Sequence, residues 1–233
     1  MLQKNKVLIG CPVRNRGWIL PYYLEGLKGL DYPDEDIIYC FIVNNSTDDT
    51  LEILQHFQSR TSSPVKIINC DLLTNSSHRR GYYNFFHLAI LRNILLEEFL
   101  KSGAAYLLSV DSDIVLAPYA LQSLIDADLD IISALVCNGH EIGDLKRYNI
   151  LNRKANGRYE YVSDFPTDRI FEVDCTGAAY LIKREVIAKH QVRYSANKGA
   201  EDIGFCEAAQ AKGIKIWCNP TVKGHHEMIE KGL

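Results

Sequence analysis

Apolar residues along this chain fall into two alternating rhythms. Short runs rich in β-branched and apolar residues, at 6–11, 37–43, 65–70, 105–110, 131–136, 178–183 and 214–218, read as strands. Between many of them lie stretches of helical period, at 18–30, 50–59, 84–101, 118–127 and 201–212. Strand and helix in turn predict crossover units on a mainly parallel central sheet flanked by helices, an α/β architecture. The run 105–110 has no polar face, as a central parallel strand should, and Asp111 stands at its carboxyl end. Ser46 to Asp49 offers N-cap oxygens to the second helix, and Gly103 is a C-cap signal for the long one.

The alternation stops at 138–171, a polar stretch sprinkled with aromatics. It is too short to bury a core of its own, so it is expected to form an elaborated loop or small hairpin layer on a single domain spanning 1–233. With 233 residues, 47% hydrophobic and 24% charged, the chain has enough apolar material for one sizeable core.

Charge and cysteine content narrow the partners. A net charge of −3 gives no overall field that would gather nucleic acid; His78, Arg79 and Arg80 form a local basic patch, either a solvated loop or a contact to phosphate or acceptor. Seven cysteines lack metal-type spacing and several sit in apolar runs, which fits reduced thiols in a cytoplasmic setting. The start has too short an apolar run for a signal peptide, and no run of about 18 apolar residues suggests a membrane span.

The candidate chemistry centres on LLSVDSDIVLAP. If the segment is extended, Asp111 and Asp113 project to one side at a strand end, where ligands of open α/β sheets bind. Two close carboxylates repel unless a cation compensates them, and oxygen ligands suit Mg²⁺ or Mn²⁺. A helix N-cap followed by a solvated aspartate is the plainer alternative.

Together with VLIGCPVRNR, VNNSTDDT and EDIGFCEAAQAKGIKIWCNPTVKGHH, in that order, this stretch resembles the GT-A-fold glycosyltransferases of the family-two type over nearly the whole chain except 138–171. The resemblance implies a metal-dependent glycosyltransferase that moves a sugar from a nucleoside-diphosphate sugar to a saccharide or other hydroxyl acceptor with inversion. It implies Asp113 as a ligand of Mn²⁺ or Mg²⁺, Asp111 on the ribose or a metal-bound water, and Ser112 between them at the donor. A third metal ligand is expected from KGHHE, with His225 preferred over His226.

Pro12, Val13, Arg14 and Asn15 match the base-binding loop; Arg16 reads as surface charge. Asn44 and Asn45 stand where relatives carry an aspartate that reads the base, while Asp48 and Asp49 are better explained by helix capping. Arg92 faces either the diphosphate or Asp111, or else forms a surface pair with Glu97. Gly177 and Ala178 lie beside the donor sugar or simply pack tightly.

Glu201 and Asp202 match the E-D motif, with Asp202 as general base and Glu201 helping to place the acceptor; acidic residues also favour helix N-termini on electrostatic grounds alone. Acceptor choice is assigned to 138–171, with His140, Arg147, Tyr148, Tyr159 and Tyr161 as contacts. Two rivals are a nucleotidyltransferase, for which CPVRNRGW is a poor phosphate loop, and a non-catalytic nucleotide-sugar-binding module, which would not need Asp113 and Asp202.

Overall fold

The computed structural model describes residues 3–72, 84–138, 143–144 and 146–227. The long runs of apolar residues become strands buried on both faces, and they order the molecule into three layers. β1 (Gln3–Val13), β2 (Ile37–Asn44), β3 (Val65–Cys70) and β4 (Ala104–Val110) form a parallel set in the spatial order β3-β2-β1-β4. The chain winds outward from β1 to β3 and then returns to the other side of β1, so a crevice opens at the carboxyl ends of β1 and β4.

Beyond β4 the sheet becomes mixed. β11 (Ala179–Lys183) runs antiparallel to β4 and to β6 (Ile131–Val136), and β6 is parallel to β12 (Ile216–His226). The end of β12 pairs with β5 (Ile114–Leu116), the short strand that follows the two aspartates, and β9 (Phe171–Val173) lies against its start. The expected parallel sheet thus holds for one half, and the other half inserts antiparallel strands.

Each face carries its own core. α1 (Leu20–Lys28), α2 (Thr50–Arg60) and α4 (Ala120–Asp126) pack Leu20, Tyr23, Leu27, Leu54, Phe57 and Leu121 on one side. On the other, α3 (Phe85–Ser102), α5 (Arg184–Ala188) and α6 (Glu201–Gln210) bring Leu95, Phe99, Ile187, Phe205 and Ala209 together. Asn84 caps α3 by accepting from His87 N, and Gly103, at φ 74°, closes it in the left-handed conformation that glycine adopts cheaply.

The 138–171 stretch contains a hairpin, β7 (Ile150–Arg153) with β8 (Tyr159–Tyr161), turning at Asn156-Gly157; β10 (Cys175–Thr176) completes a three-stranded layer. Of the two forms expected for this stretch, an elaborated loop or a small hairpin layer, its described residues include a hairpin. Burial pushes the thiols of Cys11, Cys40 and Cys218 up to about 12, so they behave as small apolar groups. No described helix is long and apolar enough to cross a membrane.

Candidate active site

At the carboxyl end of β4 the chain turns: Ile114 N donates to Asp111 O at 2.9 Å, so the D-S-D segment is a tight turn rather than an extended strand. The turn sends the two carboxylates to different partners. Asp111 Oδ1 accepts from Arg92 at 2.7 Å, whereas Asp113 meets Arg16 at 3.4 Å and His226 Nε2 at 3.5 Å. Ser112 between them is buried.

Arg92 organises the site from α3. It is 4% exposed, and its three nitrogens donate to Glu201 Oε1 at 3.0 Å, Ser109 Oγ at 3.1 Å and Asp111 Oδ1 at 2.7 Å. Asp202 Oδ1 lies 3.9 Å away. Burial opposes the guanidinium's charge, but the carboxylates of Asp111, Asp202 and Glu201 outweigh it and hold its pKa well above the usual value. Three carboxylates around one cation leave an excess of negative charge. Asp202 carries the consequence: burial first, then Glu201 and Asp111, push its carboxyl up to about 8 against the downward pull of Arg92 and of a hydrogen bond from Tyr180.

Small residues let these parts approach. Asp111 N donates to Ala178 O at 2.8 Å, and Ala178 takes φ 65°, an uncommon conformation for a residue with a side chain. A Cβ on Gly177 would lie 2.5 Å from Asp202 Oδ2, so the absent side chain is the space that this carboxylate oxygen uses. Asn149, buried in the insert, donates to the carbonyls of Gly177 and Ala134 and accepts from Val136 N.

The loop after β1 is stitched to the loop after β2. Asn15 N donates to Ser46 Oγ, Thr47 N to Asn15 Oδ1, Arg16 N to Thr50 Oγ1 and Gly17 N to Asp48 Oδ2, all within 3.1 Å. Asp48 also accepts from Thr50 N in the first turn of α2; burial disfavours its charge, yet these hydrogen bonds win and hold its pKa below the ordinary carboxylate value. Asn15 and Asn45 adopt positive φ (50° and 48°), a region asparagine tolerates better than most residues. The Nε atoms of Arg14 and Arg16 are buried with no hydrogen-bond partner.

The family model of Anp1 matches residues 1–191. The chain belongs to the Anp1 family. Among curated proteins, glycosyltransferase 25 family members of Drosophila pseudoobscura pseudoobscura (25% identical over 146 residues) and Aedes aegypti (22% over 145) each align with 58% of this chain. The chain covers 23% and 24% of those relatives, about a quarter of their length. Among solved structures, S. aureus TarS 1-349 in complex with UDP-GlcNAc superposes with a TM-score of 0.64 at 18% identity, over 96% of this chain and 59% of that one. Mannosyltransferase PcManGT from Pyrobaculum calidifontis, in complex with GDP-Man and Mn²⁺, gives 0.62 at 14% identity over 99% and 59%. The fold is therefore that of the GT-A glycosyltransferases.

Within this Anp1 domain several sequence expectations change. His225 does not face Asp113. β12 extends through both histidines, adjacent strand residues point to opposite faces, and it is His226, beside Ile114 in the ladder, that reaches the aspartate. His225, with 64% of its side chain exposed, contacts Glu227 at 2.9 Å. Asn44 is buried at 2% exposure and accepts from Leu72 N, while Asn45 donates to Leu72 O; the pair clamps the chain after β3, and Asn44 lies too deep to read a base.

Val13 is a core residue of β1 and Pro12 is paired within the same strand, so the loop proper begins at Arg14. Glu201 is buried at 4% exposure beneath Arg92 and cannot touch an acceptor. Arg92 does not form the surface pair with Glu97, which meets Arg193 at 3.1 Å.

Of the acceptor candidates, Tyr148 packs edge-on against Phe165 and Tyr159 bonds Glu207, both as anchors of the insert; Tyr161 is 43% exposed, with Arg147 over its ring at 4.2 Å. His140 and the His78–Arg79–Arg80 patch lie outside the described residues. Sequence reasoning passed over Arg16, Ser109, Tyr180 and Asn149. Ser109 had a signal, a hydroxyl inside an otherwise apolar central strand, which marks a buried polar partner on that face.

Proposed function

We propose that this chain is a glycosyltransferase that transfers a sugar from a nucleoside-diphosphate sugar to an acceptor hydroxyl, with inversion and with help from a divalent cation. The observation that carries the reading is the convergence, at the carboxyl-end crevice, of the D-S-D turn, Arg92 and the E-D start of α6, three segments far apart in sequence. Family membership and the names of the curated relatives and structural neighbours support the same reaction class.

Among the described residues no three His, Cys, Asp or Glu side chains form a ready-made metal centre. Asp113 and His226 offer one oxygen and one nitrogen donor at the crevice, a set that fits Mn²⁺ or Mg²⁺ arriving with a diphosphate that completes its coordination. When bound, the cation would neutralise charge on the departing diphosphate. Arg14 and Arg16, each with a buried unpartnered Nε, supply fixed positive charge toward the same anion.

Asp202 takes the proton of the acceptor hydroxyl. The freed oxygen pair forms the new bond to the anomeric carbon while the carbon–phosphate-oxygen bond breaks and its pair leaves with the diphosphate. Arg92 holds Glu201 and Asp111 in place, and its charge lies 3.9 Å from Asp202. The Arg147–Tyr161 pair on the insert is the acceptor-side surface of this reading.

Calorimetric titration of UDP-, GDP-, CDP- and dTDP-sugars with and without Mn²⁺ tests it. One donor should bind in a metal-dependent manner, lose that binding in Asp113→Ala, and retain it in Asp202→Asn while transfer stops. Absence of binding to every donor under both conditions would make a non-catalytic role the better reading.

A further inference from the structure

Two buried hydroxyls stand beside Asp202 that the reaction as written does not use. Tyr180, in β11, and Tyr194, after α5, are 1% and 4% exposed. Their hydroxyls are hydrogen-bonded to each other, and Tyr180 Oη also lies 3.2 Å from Asp202 Oδ1. A general base must be ionised before it takes a proton; in that state the Asp202 carboxylate has no proton to donate and each phenol has one, which sets the direction of the chain. Tyr180 gives its proton to Asp202, and Tyr194 gives its own to Tyr180.

The far end of the chain is fixed. Tyr194 stacks on Phe205 at 4.4 Å between ring centres, and its backbone N–H and C=O are both held by the side-chain amide of Asn93, the residue next to Arg92. At the near end the two oxygens of Asp202 differ. Oδ1 is tied to Tyr180, whereas Oδ2 lies over Gly177, where a side chain would occupy its space. About a fifth of the Asp202 side chain (21%) remains accessible.

We propose that Tyr194 and Tyr180 form a one-directional hydrogen-bond chain that orients Asp202 and makes Oδ2, over Gly177, the atom that takes up the acceptor proton. The inference rests on Asp202 as the general base and adds Tyr180 and Tyr194 as its positioning residues. In the transfer step the acceptor O–H bond breaks, its proton passes to Oδ2, and Oδ1 keeps its hydrogen bond throughout. Reversal of the chain would need an acceptor for the Tyr194 proton, so protonation on Oδ2 is the cheaper state.

The groups facing Asp202 are Arg92 from α3, Glu201 on α6, Asp111 at the end of β4, Tyr180 from β11, Tyr194 after α5 and, within its field, Cys175 of β10. Among them Tyr180 stabilises the charged carboxylate by direct donation. Its removal must therefore raise the Asp202 pKa. A hydrogen bond to such a group corresponds to a shift of about one pH unit.

The test is a carboxyl-carbon NMR titration of the full chain labelled at aspartate, the Asp202 signal being identified by its loss in Asp202→Asn. In Tyr180→Phe the midpoint should move up by about one unit, and in Tyr194→Phe by a smaller step in the same direction. The acid limb of kcat/KM for the donor that binds should move with it, activity recovering at high pH. A merely structural role would lower melting temperature and leave both midpoints where they are. Unmoved midpoints in both variants overturn the chain even where Asp202→Asn is inactive; normal turnover by Asp202→Asn overturns the base assignment even where the midpoints move. Should Tyr180→Phe fail to fold, Tyr194→Phe alone decides the direction.

Discussion

A buried arginine is costly unless its donors are paired with good geometry, and Arg92 meets that condition with Glu201 on α6, Ser109 in β4 and Asp111 in the turn that follows β4. Arg92→Met would leave Glu201, at 4% exposure, and Asp111 without their cation, and we expect a loss of about 3–5 kcal/mol in denaturant unfolding. Arg92→Lys would not rescue it, because one ammonium does not reproduce the fork that spans these acceptors. Asp202 predicts the opposite sign. Its pKa of about 8 means that between the ordinary aspartate value and that pH the folded chain holds a proton the unfolded chain has released. Stability therefore falls as pH rises through that window. Asp202→Asn should flatten this dependence and, at pH 8, be more stable than wild type by on the order of 1–3 kcal/mol in denaturant unfolding, while losing transfer. A variant less stable than wild type at every pH would refute the strained carboxylate.

Among elements, the strand–turn–strand joint formed by β10, Gly177, Ala178 and β11 is where the fold and the proposed base meet. Gly177→Ala places a methyl 2.5 Å from Asp202 Oδ2, and either the carboxylate or the joint must shift. Because misplacement of a reacting group by about 1 Å costs about 10²-fold in rate, kcat should fall by that order with donor affinity kept; unchanged kcat would mean that Oδ2 can move freely. The strands of this joint were legible in the sequence because an apolar run such as 178–183 has no other economical home than a buried sheet. The long helix was legible from its period, Asn84 and Gly103. What failed was local geometry that depends on partners. The D-S-D segment reads as extended until Ile114 N closes a turn on Asp111 O, and the last strand reads as ending at Cys218 because Pro220 and Gly224 look like breakers. In the sheet a register shift between Asn219 and Lys223 absorbs the proline, β5 supplies an antiparallel partner, and the choice between two adjacent histidines becomes a matter of strand parity. The asparagines at the end of β2 failed for a related reason: a side-chain amide that resembles a ligand contact serves a backbone, that of Leu72.

At the scale of the molecule the sheet has a division of labour. Its parallel half, β3-β2-β1-β4, offers the crevice and the arginines of the loop after β1, and its mixed half brings His226, Gly177 and Asp202 to the rim of the same crevice. A nucleoside diphosphate seated there would touch both halves and bind the folded chain alone, so it must raise global stability in proportion to occupancy. At a free concentration of 100 times Kd the gain is about 2.7 kcal/mol, which for a domain of this size is a rise in Tm of roughly 5–10 °C. The metal has a separable signature. With Mn²⁺ and the matching nucleotide together the rise should exceed that with nucleotide alone, and the increment should vanish in Asp113→Ala and in His226→Ala but persist in His225→Ala, whose side chain is turned from Asp113. A scanning-calorimetry series over these three variants checks the placement without any knowledge of the acceptor. An increment lost in His225→Ala and kept in His226→Ala would reverse the assignment of the histidines, and a rise indifferent to Mn²⁺ in every variant would remove the cation from the reaction and leave Arg14 and Arg16 to carry the diphosphate.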